Sequence, residues 1–168
     1  MKKISIVFAF ICISLITLNA QAPLGKGGAQ LNAGLGFSGW GVPIYVGADF
    51  GIAKDWTLGI EGSFRSYSDR WSGGSYSHTI FGFLGNANYH FNTIMAIPSN
   101  WDFYAGLNLG FYAWSSAAGY GGSGSSGFGL GLQVGGRYYF NNKVGVNLEF
   151  GGGNQISGGK IGITYRFK

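Results

Sequence analysis

Apolar and small or polar residues alternate with period two through most of the chain, the pattern of strands whose two faces meet different surroundings. In the last stretch, Ile161, Ile163, Tyr165 and Phe167 point one way while Gly162, Thr164 and Arg166 point the other. The same reading places earlier strands over Leu31, Ala33, Leu35 and Phe37, over Ile44 to Ile52, over Trp56 to Phe64 and over Phe81 to Phe91. Others follow over Phe103 to Phe111, Phe128 to Phe140 and Val144 to Phe150, making eight segments in all. In the fourth, Ile80 and Leu84 are apolar exceptions on the otherwise polar face, which also carries His78, Asn86, Asn88 and His90. A final strand that pairs with the first, over residues 30–38, would leave the sheet without an edge.

Connector lengths tend to alternate. Residues 53–55 and 141–143 are tight turns, whereas residues 68–77 and 115–126 are long and rich in Gly and Ser. Residues 39–42 are shorter, and residues 92–100 longer, than strict alternation allows. Brief turns at one end and longer loops at the other are the asymmetry of a transmembrane barrel.

Volume decides which face is inside. The apolar face carries roughly thirty large side chains, more than the bore of an eight-stranded barrel can hold. The other face is dominated by Gly with a few Tyr, Asn and charged groups, which suits a narrow lumen. The apolar face therefore looks outward, and the expected fold is an all-β, eight-stranded, antiparallel up-and-down transmembrane β-barrel. Aromatic girdles are expected at Trp56, Phe91, Trp101 and Phe140 on the turn side, and at Phe37, Trp40, Trp71 and Trp114 on the loop side.

Composition agrees. Of 168 residues 33 are Gly, aromatics make 17% and charged residues only 10%, too few for an ordinary solvated surface. The N-terminus has Lys2 and Lys3, an apolar run from Ile4 to Leu18, and small residues at Ala20 and Ala22. At about 15 residues that run is short of the ~20 a helical span needs, so residues 1–22 read as a signal peptide cut near 20–22. Residues 23–168 are then the barrel domain. Cys12 falls in the leader, so no disulfide is expected in the mature chain. Removing Lys2 and Lys3 takes 11 basic residues to 9 against 6 acidic, a net charge of +3 with no basic cluster, which argues against a nucleic-acid partner.

The runs Gly136-Arg137-Tyr138-Tyr139-Phe140-Asn141-Asn142-Lys143 and Val144-Gly145-Val146-Asn147-Leu148-Glu149-Phe150-Gly151, with Trp101-Asp102-Phe103-Tyr104-Ala105-Gly106-Leu107 and the closing Ile161-Gly162-Ile163-Thr164-Tyr165-Arg166-Phe167, resemble the small bacterial outer membrane β-barrel domain family. The resemblance covers the mature chain. It implies outer membrane lipid as surroundings and insertion by the barrel assembly machinery, which reads a C-terminal aromatic strand, here Tyr165 and Phe167 before Lys168. The family shares a fold and no single activity, so no catalytic residues carry over.

Candidate chemistry sits on the inner face. Asp49, Glu61, Arg65, Arg137, Glu149 and Arg166 are expected to form a structural ion-pair network plugging the lumen. A turn at 141–143 would set Gly135 opposite Glu149 with Arg137 on the diagonal, and Arg166 is a candidate partner for Asp102. At the outer rim Ser68, Asp69, Ser77 and His78 contain the residue types of a hydrolase or acyltransferase, without diagnostic spacing. His90 reads as a lumen hydrogen-bonding group rather than a metal ligand, and no cofactor or metal is expected. Residues 119–127 lack the ending of a phosphate loop and read as a surface loop. The function expected is that of a monomeric, non-enzymatic outer membrane barrel with a structural or surface-interaction role, its ligand taken through loops 68–77 and 115–126. A lipid A-modifying enzyme and a narrow solute channel are the alternatives.

Overall fold

The computed structural model describes residues 23–122 and 124–167. The signal peptide expected over residues 1–22, and Lys168, lie outside the described residues.

Eight antiparallel strands close on themselves in the order of the chain. They are β1 (Ala29–Phe37), β2 (Ile44–Ala53), β3 (Trp56–Trp71), β4 (Gly74–His90), β5 (Trp101–Ser116), β6 (Gly127–Tyr139), β7 (Val144–Gly153) and β8 (Gly158–Arg166). A one-turn helix, α1 (Asn92–Met95), lies between β4 and β5. Closure is made by β1 against β8, from Gln30 opposite Arg166 to Phe37 opposite Gly159. Each strand thus has a hydrogen-bonded neighbour on both sides, the condition for satisfying its backbone groups in a medium without water.

Period-two alternation then sorts the side chains, and the usual distribution is reversed. Phe83 is 65% exposed and Leu132 66%, whereas Gln30, Asp102 and Thr164 are 0% exposed. Apolar groups form the outer wall and polar groups the core. The narrow bore explains the glycines: a Cβ on Gly135 would fall on the ring of Tyr104, and one on Gly82 would lie 2.5 Å from Ser63 Oγ and 2.9 Å from the ring of Tyr112. Tyr104, Tyr112 and Tyr139 are each accommodated by an inward glycine on a neighbouring strand, Gly135, Gly82 and Gly145 in turn.

The two ends differ. At the end where β1 begins and β8 finishes, β2–β3 and β6–β7 turn tightly. Between β4 and β5, α1 is held by Asn92, whose Nδ2 donates to Trp101 O at 2.6 Å, and by Thr93 Oγ1 donating to Asp55 Oδ1 at 2.6 Å.

At the other end the structure corrects the sequence reading. Residues 68–77 are not a loop: β3 and β4 stay paired from Trp56 opposite Tyr89 up to Trp71 opposite Gly74. They reverse at Ser72 (φ 48°) and Gly73 (φ 83°), the two positive values of a type I′ hairpin turn. The hydrophobic signal fades there because neither face of a strand above the barrel needs an apolar surface. Similarly, β5 runs to Ser116, so the long loop is residues 117–126. Trp114 does not join the outer girdle; it packs inward against Ile80, Leu84 and Tyr112, because it shares the inward parity of Tyr112. Trp71, at the hairpin tip, meets the rings of Tyr76 and Tyr120.

Candidate functional site: the filled lumen and its outer rim

The lower lumen is organised by Arg137 on β6. Its guanidinium donates to Asp49 Oδ2 at 2.7 Å and to Asp102 Oδ2 at 3.1 Å. Asp49 also accepts from Gln30 Nε2 and Asn32 Nδ2, both at 2.9 Å. The other oxygen of Asp102 meets His90 Nδ1 at 2.6 Å, and His90 Nε2 lies 3.0 Å from Thr57 Oγ1. Tyr139 donates to Gln30 Oε1 at 2.8 Å, and Arg166 lies over the Tyr139 ring at 3.9 Å. Satisfying buried charge on several sides at once is what makes such a polar core tolerable.

A second centre lies above it. Lys160 on β8 reaches Glu61 Oε2 at 2.6 Å and Glu149 Oε1 at 2.7 Å. Tyr104 donates to the second oxygen of Glu149 at 2.8 Å. Asn147 donates to Tyr45 OH at 2.8 Å, and Gln133 donates to Asn88 Oδ1 at 2.7 Å.

Higher still, Ile80, Leu84 and Tyr112 form an apolar layer with Tyr67, Trp114 and Ile156 packed against it. Arg65 lies at this level, 5% exposed, and donates to Ser38 Oγ at 2.8 Å.

Of the six charged residues singled out in the sequence, Asp49 meets Arg137, and Glu61 and Glu149 share Lys160; Arg65 stands in the upper layer. Gly135 is opposite Glu149, but Arg137 turns away from that carboxylate because Asp102 is its in-register neighbour on β5. Arg166 is not the partner of Asp102, whose oxygens are taken by His90 and Arg137; it lies on Tyr139 instead. Asp102 and His90, both read as lumen groups from the sequence, join the Arg137 network, and Lys160 is the charged lumen residue that the sequence reading does not single out. Lys160 shares the parity of Gly162, Thr164 and Arg166, which was sufficient to place it inside.

The rim residues divide. His78 is fully buried and joins Asp69 Oδ1 through Nε2 at 3.0 Å and Ser116 Oγ through Nδ1 at 2.9 Å. The Ser68 and Ser77 hydroxyls bond each other, Oγ to Oγ at 3.1 Å. Tyr67 stacks on the His78 ring with centroids 4.9 Å apart. Tyr120, from the 117–126 loop, meets its edge at 4.4 Å and donates to Asp69 Oδ2 at 3.3 Å. Desolvation and the nearby Asp69 carboxylate hold the Tyr120 phenol above its ordinary value. Ser116 was absent from the sequence-level candidates because 38 residues separate it from His78, and only strand register brings them together.

No protein-family model matches the chain, and no curated protein matches it. Solved structures do. The outer membrane protein OprG from Pseudomonas aeruginosa aligns with a TM-score of 0.70 at 11% identity, over 89% of this chain and 99% of that one. The N-terminal β-barrel domain of Pseudomonas aeruginosa OprF aligns at 0.58 and 14%, over 85% and 99%. Ail, the attachment invasion locus protein of Yersinia pestis, in complex with the heparin analogue sucrose octasulfate, aligns at 0.51 and 11%, over 83% and 97%. At these identities the likeness is one of fold: the chain is an eight-stranded barrel of the kind that bacterial outer membranes contain.

Proposed function

We propose that the mature protein is a monomeric, non-enzymatic outer membrane barrel with a plugged lumen, acting through the surface at its outer end. The leader over residues 1–22 would export it. The barrel assembly machinery would read the C-terminal strand at Tyr165 and Phe167, whose rings meet edge to face 5.5 Å apart. One observation carries the reading. The outer wall is apolar around the body of the barrel, while the bore is crossed at two levels by buried ion pairs, so lipid outside and a closed core inside account for the same alternation.

The β3–β4 hairpin and the 117–126 loop supply the interacting surface. Trp71, Tyr76 and Tyr120 meet one another there on a rigid support, and aromatic groups held so are suited to recognition. That Ail, a barrel of this fold, forms a complex with a heparin analogue supports reading the outer end as a binding surface.

The test has two parts. The protein should fractionate with the outer membrane and migrate differently on gels before and after heating; a soluble periplasmic product overturns the membrane reading. Purified barrel in planar bilayers should give no discrete conductance; regular conductance steps would favour the narrow channel and overturn the plug.

One observation favours a hydrolytic alternative: the exposed Ser116 is hydrogen-bonded to buried His78, and His78 to Asp69. In such an arrangement Ser116 Oγ would attack an ester carbonyl as His78 Nδ1 takes its proton. The alcohol would leave with that proton, and water would then release the acid. The non-enzymatic reading accounts for the same contacts as a tie across β3, β4 and β5. Mass spectrometry of lipid A after overexpression separates them: no change is expected, and deacylation lost in both His78→Ala and Ser116→Ala would establish the enzyme.

A further inference from the structure

We propose that the upper lumen contains a binding site for a small carboxylate, anchored by Arg65. The side chain is 5% exposed, and its Nε has no hydrogen-bond partner. Among the described residues it takes part in none of the ion pairs. The acidic groups four positions away on either side along β3 are engaged elsewhere: Glu61 with Lys160 and Asp69 with His78. A buried guanidinium with an unused donor is costly, and a bound anion is the group that offsets it.

The space for one adjoins it. A cavity of about 90 Å³ is lined by Arg65, Ser38, Ser63, Leu84, Tyr112 and Ile156, and also by Lys160 with both of its carboxylate partners, Glu61 and Glu149, whose charge that lysine offsets. Ser38 and Ile156 come from the connectors at the outer end, so the cavity reaches that rim. The planar fork of the guanidinium matches a carboxylate, and the Ser63 hydroxyl in the cavity lining supplies a further donor; Ser38, whose hydroxyl donates to Gly41 O at 3.2 Å while accepting from Arg65, holds the guanidinium in place. Leu84, Tyr112 and Ile156 present an apolar wall opposite, which favours a short hydrocarbon tail over a fully hydrated oxyanion. A cavity of ~150 Å³ takes benzene. This one therefore fits a carboxylate of the size of acetate or propionate.

The experiment uses the full mature barrel, refolded in micelles, labelled with ¹⁵N-arginine and kept in chloride-free buffer. The Arg65 Nε–H resonance is identified by its loss in Arg65→Lys. Titration with sodium propionate should shift it saturably, and propionamide, the neutral analogue of the same shape, should not. In Arg65→Lys the quench of tryptophan fluorescence by propionate should need about tenfold more ligand, because the forked contact is lost. An Nε–H resonance unmoved by propionate, or moved equally by propionamide, overturns the proposal. A saturable response to chloride but not propionate reduces the site to a halide site and overturns the carboxylate assignment. Should Arg65→Lys fail to fold, the propionate and propionamide comparison on wild-type tryptophan fluorescence decides the question by itself.

Discussion

Arg137 and Asp49 face each other across the full width of the barrel: β6 and β2 are separated by three strands in either direction, yet the two side chains meet at 2.7 Å. The contact therefore sets a diameter and does not merely join neighbours. Arg137→Ala would leave Asp49 and Asp102 buried without their cation. Loss of one partner from a buried pair costs about 3–5 kcal/mol. The heat-modifiable transition should fall markedly, and Arg137→Ala combined with Asp49→Ala should lose less than the two single changes summed. An unchanged transition in Arg137→Ala would mean that the network does not hold the barrel together.

Gly135 tests packing in place of charge. A Cβ there meets the Tyr104 ring, and overpacking of this kind costs about 1–3 kcal/mol. Gly135→Ala should lower resistance to urea. Combined with Tyr104→Leu, which removes the ring, its cost should shrink, as measured by a double-mutant cycle. Strictly additive losses would show that the two sites do not compete for space.

The rim should respond to pH. Tyr120 has its phenol raised above the usual value by desolvation and by Asp69. A group whose folded value is raised contributes stability that is complete below its unfolded value, near 10, and lost as pH rises through the folded one. Docking of the 117–126 loop on the hairpin should therefore weaken in alkali, read as phenolate absorbance and Trp71 emission. Asp69→Asn should move the phenolate transition to lower pH; no movement would remove Asp69 as a cause.

Phe167 separates assembly from stability. Its side chain is 54% exposed on the outer wall, so Phe167→Ala should alter the refolded barrel little. If the C-terminal aromatic is read during insertion, the same change should cut the amount of folded protein in outer membranes several-fold. Equal loss in cells and in refolding would instead make the residue purely structural.

Alternation made the barrel legible wherever the two faces of a strand meet unlike surroundings. Ile80 and Leu84 stood out as apolar residues on the polar face, and they form the upper lumen layer. The signal vanished at Ser66, Ser68 and Arg70, where the outward face of β3 is polar though the ladder continues. Partners across the bore were least legible, because Arg137 to Asp49 spans 88 residues and Lys160 to Glu61 spans 99. Such pairs depend on the stagger of a closed sheet, which no local pattern encodes. Ser116 belongs to the same category, since it meets His78 by register alone.

The strands also differ in height. β3 and β4 have 16 and 17 residues, whereas β1 and β8 have 9 each. All share a common floor, where β1 and β3 begin and β4 and β8 end, so the rim is cut obliquely, with a tall parapet on one flank and a low sill where the sheet closes. The inward rings of Tyr67 and Trp114 belong to the tall flank, and Trp40, from the connector above the low sill, reaches across to meet both edge to face, so the step in height is bridged by one indole.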